Sequence, residues 1–281
     1  MALKIEKPLV DADWLFQHLN DQHLIILDAS LPKVTAKNDV FIDEKMQIKN
    51  ARFFDIKNEF SDTNALYPNN ALSAEEFESK AQQLGINNDS CVVVYDDLGM
   101  YSAPRVWWLF QLMGFTNIAV LDGGLPEWKS KAYPFEKPKR GQFQKGNFTV
   151  NYQPKKIKFT SDVLSAIESN TMLIVDARSK GRFYATAPEP RADVKGGHIP
   201  NSVSLPYSDL IVDGKLKSKE KIQSIFNQIN PENKAFIFSC GTGITASVLA
   251  LGSEIAGYKN YAVYDGSWTE WGLTPGLPIQ K

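Results

Sequence analysis

The chain repeats itself, and the repeat limits what it can fold into. "LIILDAS" (24–30) is matched by "LIVDARS" (173–179), "CVVVYDD" (91–97) by "AFIFSCG" (235–241), and "GFTNIAVLDGGLPEW" (114–128) by "GYKNYAVYDGSWTEW" (257–271). The three matches keep their order at an offset close to half the chain. A length of 281 residues suits one large domain or two ordinary ones; matches in register favour two copies of one domain. The stretch from Tyr133 to Lys156, rich in Lys, Gly, Pro and Gln and weakly periodic, reads as a linker draped over a domain surface. The expected organisation is a first domain over residues 1–139, a linker over 140–155 and a second domain over 156–281.

Within each half, short apolar runs alternate with helical patterns. The second half reads as strands at Leu173–Asp176, Ala235–Ser239 and Tyr261–Tyr264, separated by helices near Ser161–Glu168, Lys219–Gln228 and Thr245–Ala256. That alternation predicts an α/β fold, each copy a mostly parallel sheet flanked by helices. Strand order does not follow from it.

Aligning the copies sets Asp96 opposite Cys240. In "FIFSCGTGITAS" (236–247) the thiol ends a buried strand, Gly241 and Gly243 break it, and apolar residues return at helical spacing from Ile244. Chemistry in α/β proteins collects at such strand-to-helix handovers. The nucleophilic form of cysteine is the thiolate. Two features of the loop favour it: backbone N–H groups that curl into a nest, and the N-terminal partial charge of the helix near Thr245. Both need the close backbone approach that glycine allows. The plain alternative is a buried, inert thiol beside a glycine turn. One copy carrying a thiol and the other a carboxylate reads as one active and one silent domain.

Competing chemistries lack their parts. A phosphatase loop needs Arg six residues after its cysteine, and Ala246 stands there. A Cys–His hydrolase needs a histidine, and His198 in "GGHIPNS" is the one in this half, read as packing in a turn. Two cysteines, Cys91 and Cys240, cannot build a disulfide framework or a cysteine-rich zinc site, and suit a reducing, cytoplasmic setting. A net charge of −1 favours neither nucleic acid nor an anionic membrane. No secretory leader pattern opens the chain and no apolar run is long enough to cross a bilayer.

Taken together, "PLVDADWLFQHL" (8–19), "YSAPRVWWLFQLMGF" (101–115), "GGHIPNSVSLPY" (196–207), "YDGSWTEWG" (264–272) and the Cys240 loop resemble the rhodanese superfamily of sulfurtransferases over nearly the whole chain. The resemblance implies tandem rhodanese-like domains with a catalytically silent first copy. It implies Cys240 as the residue that carries sulfur as a persulfide, with Thr242 beside it and Gly241, Gly243, Ile244 and Thr245 lining the substrate. "CGTGIT" (240–245) matches members that act on 3-mercaptopyruvate, whereas thiosulfate-type members carry basic residues after the cysteine; a dianion favours such cations. Arg182 and Arg191 fall on the two arginines that mercaptopyruvate-type members use on the substrate's carboxylate and keto oxygen, groups a planar guanidinium suits; the plain reading is loop arginines paired with Glu189 or Asp193. The acceptor implied is cyanide or a thiol such as thioredoxin, with no metal or organic cofactor. A non-catalytic module on the same fold, and a redox sensor, are the other readings.

The chain departs from its relatives in one loop. On the resemblance, Lys57 and Asn69, in "DIKNEFSDTNALYPNNALS" (55–73), fall where many mercaptopyruvate-type members carry an acid and a histidine facing the active site, which implies that proton delivery falls to Thr242, water or substrate. Trp107, Trp108, Phe110, Leu112 and Met113 after Pro104 read as packing on a helix. Cys91 reads as a buried strand residue, Trp268 and Trp271 as packing near the cleft, and "SAEEFESK" (73–80) as a helix N-terminus.

Overall fold

The computed structural model describes residues 3–33, 46–138 and 141–281; the boundary expected at 139 and 140, and the first two residues, lie outside these. The chain divides into two compact units. One holds Met1–Ser61, Leu72–Tyr152 and Asp213–Lys215; the other holds Asp62–Ala71, Gln153–Val212 and Leu216–Lys281.

Each unit is built on a five-stranded parallel sheet of one topology. In the first, strands run in the order Leu9–Val10, Ile118–Leu121, Cys91–Tyr95, Leu24–Asp28, Arg52–Phe53. In the second the order is Ile157–Lys158, Tyr261–Tyr264, Ala235–Ser239, Met172–Asp176, Val203–Ser204. The register repeats too: Asp28 pairs with Tyr95 and Asp176 with Ser239. Asp96 and Cys240 are therefore the same position, the first residue beyond the central strand. That strand is covered on both faces, which is why it reads as an unbroken apolar run.

Long helices pack on the sheets. Ala74–Gln83 starts at Ser73, whose side chain accepts the Glu76 N–H. Ala103–Leu112 carries Pro104 in its first turn, and buries Trp107, Trp108 and Phe110. In the second unit Thr160–Ser169, Lys219–Ile229 and Ala246–Ala256 do the same work. Trp268, Trp271 and Tyr264 join Val163 and Ile237 in one of its cores.

The stretch that composition marks as a linker is strapped down along residues 146–151. Gly146 N–H donates to Gln82 O, Phe148 N–H to Ile86 O and Asn151 N–H to Met113 O. Phe148 is fully buried among Phe77, Phe110 and Phe115. Gly146 has no alternative here, since a Cβ would lie 2.0 Å from Ile86 O.

Candidate active site

Cys240 leaves the central strand and is 2% exposed. Gly243, at φ +81°, turns the chain so that the helix can begin at Ala246. The carbonyls at the start of the loop are tied from outside: Trp268 N–H donates to Cys240 O (2.9 Å) and Thr269 N–H to Gly241 O (3.0 Å). The Cys240 N–H donates to Ser267 Oγ. The next five N–H groups, from Gly241 to Thr245, donate to no group among the described residues. A run of unpaired donors at a helix N-terminus is an anion-binding nest.

The silent copy shows what such a loop is for, because there it is filled. Asp96 is fully buried, and its carboxylate accepts the N–H groups of Leu98, Tyr101, Ser102 and Ala103 at 2.8–3.0 Å. Burial pushes this carboxyl above the usual carboxylate range, against four N–H groups that favour the anion. In the first unit the loop closes on its own side chain; in the second, five consecutive N–H groups remain for an anion from outside.

One of the two expected arginines stands beside the thiol loop. Arg182, on the short helix Lys180–Phe183, comes so close that a Cβ on Gly241 would lie 3.3 Å from its Nη2. Glu189 holds the side-on edge of this guanidinium through Nε (3.1 and 3.2 Å) and Nη2 (2.6 Å). Nη1 has no hydrogen-bond partner among the described residues. The Glu189 side chain is itself 4% exposed and also accepts from Arg178 Nη1 at 2.9 Å. Arg178 is fully buried, pairs with Asp176, donates to Gly197 O and lies over the Trp268 ring. Asp176, Arg178, Glu189 and Arg182 thus form one chain of two carboxylates and two guanidiniums. Sequence reading passed over Arg178 and Asp176, although they sit inside the repeated stretch "LIVDARS". Arg191 lies on an exposed turn with a long, 3.5 Å contact to Asp193; no contact joins it to the loop. For both arginines the acidic partners named as the plain alternative are the ones found.

Thr242 is gripped from far away in sequence. Asn69 Nδ2 donates to Thr242 Oγ1 at 2.9 Å. In the same segment Asn70 Nδ2 and the Ala71 N–H donate to Asp265 Oδ2 at 3.1 and 2.8 Å. With its oxygen accepting from an amide, the Thr242 hydroxyl keeps its own proton to give. Lys57 is exposed on a turn of the first unit. His198 stacks on Phe183 and bonds its carbonyl, a packed histidine as expected. Cys91 is buried, and burial, with a smaller push from the Asp21 charge, drives its thiol up to about 12. No helix among the described residues is long and apolar enough to cross a membrane.

Comparison with known proteins bears on the family and the fold. The model of the rhodanese-like domain matches residues 11–131 and again 160–274. The chain is 38% identical over 277 residues to the human 3-mercaptopyruvate sulfurtransferase, covering 94% of this chain and 92% of that one. It is 35% identical over 277 residues to the mouse thiosulfate sulfurtransferase, with the same coverage. It superposes with a TM-score of 0.83, at 32% identity and covering 93% and 99% of the two chains, on the crystal structure of SseA from Escherichia coli, a 3-mercaptopyruvate sulfotransferase.

Proposed function

The chain belongs to the rhodanese family, and on that premise we propose that its second domain is a sulfurtransferase that takes sulfur from 3-mercaptopyruvate through a persulfide on Cys240. One observation carries this reading: a thiol followed by five unpartnered N–H groups in a loop that holds no cationic side chain. Relatives named for either donor match at similar identity, so the choice of donor rests on the loop and its surroundings.

The Cys240 thiolate attacks the sulfur of 3-mercaptopyruvate. The S–S bond forms as the substrate's C–S bond breaks, and the bonding pair passes to carbon as the enolate of pyruvate. The proton first carried by the substrate thiol ends on the pyruvate methyl, relayed by the Thr242 hydroxyl or water. The outer sulfur of the persulfide, now anionic, takes the N–H groups of Gly241, Thr242, Gly243, Ile244 and Thr245, as an oxyanion hole takes oxygen. Arg182 meets the substrate carboxylate with its end-on edge, the side-on edge being held by Glu189. Arg191, on its exposed turn, is assigned the keto oxygen. Because the four-member charge chain is neutral in formal charge, it suits one added carboxylate better than the dianion thiosulfate. A thiol acceptor such as thioredoxin, or cyanide, then removes the sulfur and restores the thiolate. Two free cysteines suit a reducing compartment, the cytoplasm in this reading.

The test is paired kinetics on the purified protein: pyruvate release from 3-mercaptopyruvate with a thiol acceptor, and thiocyanate formation from thiosulfate and cyanide, each beside Cys240→Ser. The expected result is at least a tenfold higher kcat/KM for 3-mercaptopyruvate, with the serine variant at background. A preference for thiosulfate overturns the donor assignment.

A further inference from the structure

The two copies differ at one more place, where the backbone is under strain. Gly124 and Ser267 occupy the same position in the repeated stretch, "DGGLPEW" against "DGSWTEW". Their φ values are +52° and +51°. The residues that follow make the same bond: Leu125 N–H to Asp96 O and Trp268 N–H to Cys240 O, both 2.9 Å. The left-handed conformation costs glycine nothing and costs any residue with a Cβ. In the silent copy only glycine fits, since a Cβ at Gly124 would lie 2.4 Å from Asp96 O and 3.0 Å from Gly99 Cα. The thiol-bearing copy accepts the strain of a serine at the same φ, and strain of this kind persists where the surroundings hold it for a use.

The hydroxyl shows the use. Ser267 is fully buried; Ser267 Oγ donates to Tyr264 O at 2.8 Å and accepts the Cys240 N–H at 3.3 Å. With Trp268 N–H on Cys240 O, both backbone groups of Cys240 are pinned by consecutive residues of one helix start. We propose that Ser267 is a positioning residue: its hydroxyl fixes the backbone of Cys240 so that the sulfur and the loop donors keep one geometry. The inference rests on the reading of Cys240 as the nucleophile. A main chain free to rotate at Cys240 would move its sulfur away from donors set by the residues behind it, which weakens an arrangement that depends on fixed dipoles.

Two variants separate the hydroxyl from the strain. Ser267→Ala keeps the left-handed cost and loses the oxygen; Ser267→Gly loses both and copies the silent domain. Three quantities are read in the full chain: the rate of Cys240 alkylation by iodoacetamide at neutral pH, with Cys240→Ser as background; kcat and KM for 3-mercaptopyruvate; and the urea midpoint. The expected result is a roughly tenfold slower alkylation in both variants, a similar fall in kcat, KM within about twofold of the parent, and a higher urea midpoint for the glycine variant than for the alanine one. Parental alkylation in either variant overturns the proposal, as does a glycine variant that regains the rate lost by the alanine one, since strain and not the hydroxyl would then be the cause. If the parent protein turns over neither sulfur donor, the sulfurtransferase reading fails, while the alkylation rates still decide the role of Ser267.

Discussion

A carboxylate between two guanidiniums does different work from either arginine. Glu189 holds Arg182 by one edge and ties it to Arg178, so the other edge stays aimed while the side chain remains only partly buried. Replacing it by Gln keeps the size and removes the charge. Glu189→Gln is expected to raise KM for 3-mercaptopyruvate about tenfold, with a smaller effect on kcat, and to cost about 2 kcal/mol of stability to urea. Equal falls in kcat and kcat/KM at unchanged KM would place its action in the transition state and not in binding. The buried thiol of the first unit makes a separate prediction. A thiol driven up to about 12 is ionised to only about one part in ten thousand at pH 8. Cys91 therefore stays unlabelled by a disulfide reagent at pH 8 in the folded protein and labels as the chain unfolds. The check is a thiol count on Cys240→Ser with and without denaturant: near zero, then one.

Among the elements, the two crossover loops are the same device with different contents. Asp96 supplies its own acceptor oxygens to its loop, so four N–H groups of the first copy are satisfied without a ligand. Asp96→Ala would leave the buried N–H groups of Tyr101, Ser102 and Ala103 without an acceptor, and the more exposed one of Leu98 to water, and is expected to cost about 3 kcal/mol in urea unfolding; Asp96→Asn, which keeps one oxygen, about 2. Alkylation of Cys240 in the folded variants should match the parent. The elements themselves were legible: Ala235–Ser239 and Tyr261–Tyr264 fall where the apolar runs placed them, because central parallel strands cannot alternate. Strand order was not, since an apolar run carries no record of its neighbour. Cys240 was legible from the glycines around it and from the mismatch with Asp96. Ser267 carried a signal that went unread, the Gly124 opposite it in the repeat. Asn69 against Thr242, separated by 173 residues, had no local signal, and only the resemblance singled Asn69 out.

For the molecule as a whole, duplication explains the two sheets but not how the chain is shared between them. Asp62–Ala71 lies inside the first repeat in sequence and belongs by its contacts to the second unit. It brings Asn69 to Thr242, and Asn70 and Ala71 to Asp265. Asp265 is the first residue after the strand Tyr261–Tyr264 and lies two residues before Ser267, so one short segment steadies both the thiol loop and the turn behind it. Three side-chain hydrogen bonds, from Asn69 to Thr242, from Asn70 to Asp265 and between Tyr67 Oη and Thr274 Oγ1 (3.2 Å), contribute about 3 kcal/mol together, while the bond from the Ala71 N–H is made by main chain and survives a change of side chains. Replacing residues 62–71 by a Gly–Ser segment of equal length is therefore expected to lower the stability of the second unit by about that amount while the chain still folds. Thr242 then loses the donor that orients its hydroxyl, and kcat for pyruvate release should fall about tenfold. Asn69→Ala alone should reproduce most of the loss in kcat with about 1 kcal/mol of the loss in stability, because its bond is the one that reaches the thiol loop. A replacement that lowers stability but leaves kcat at the parental value would mean that the segment braces the second unit and that Thr242 needs no partner to act.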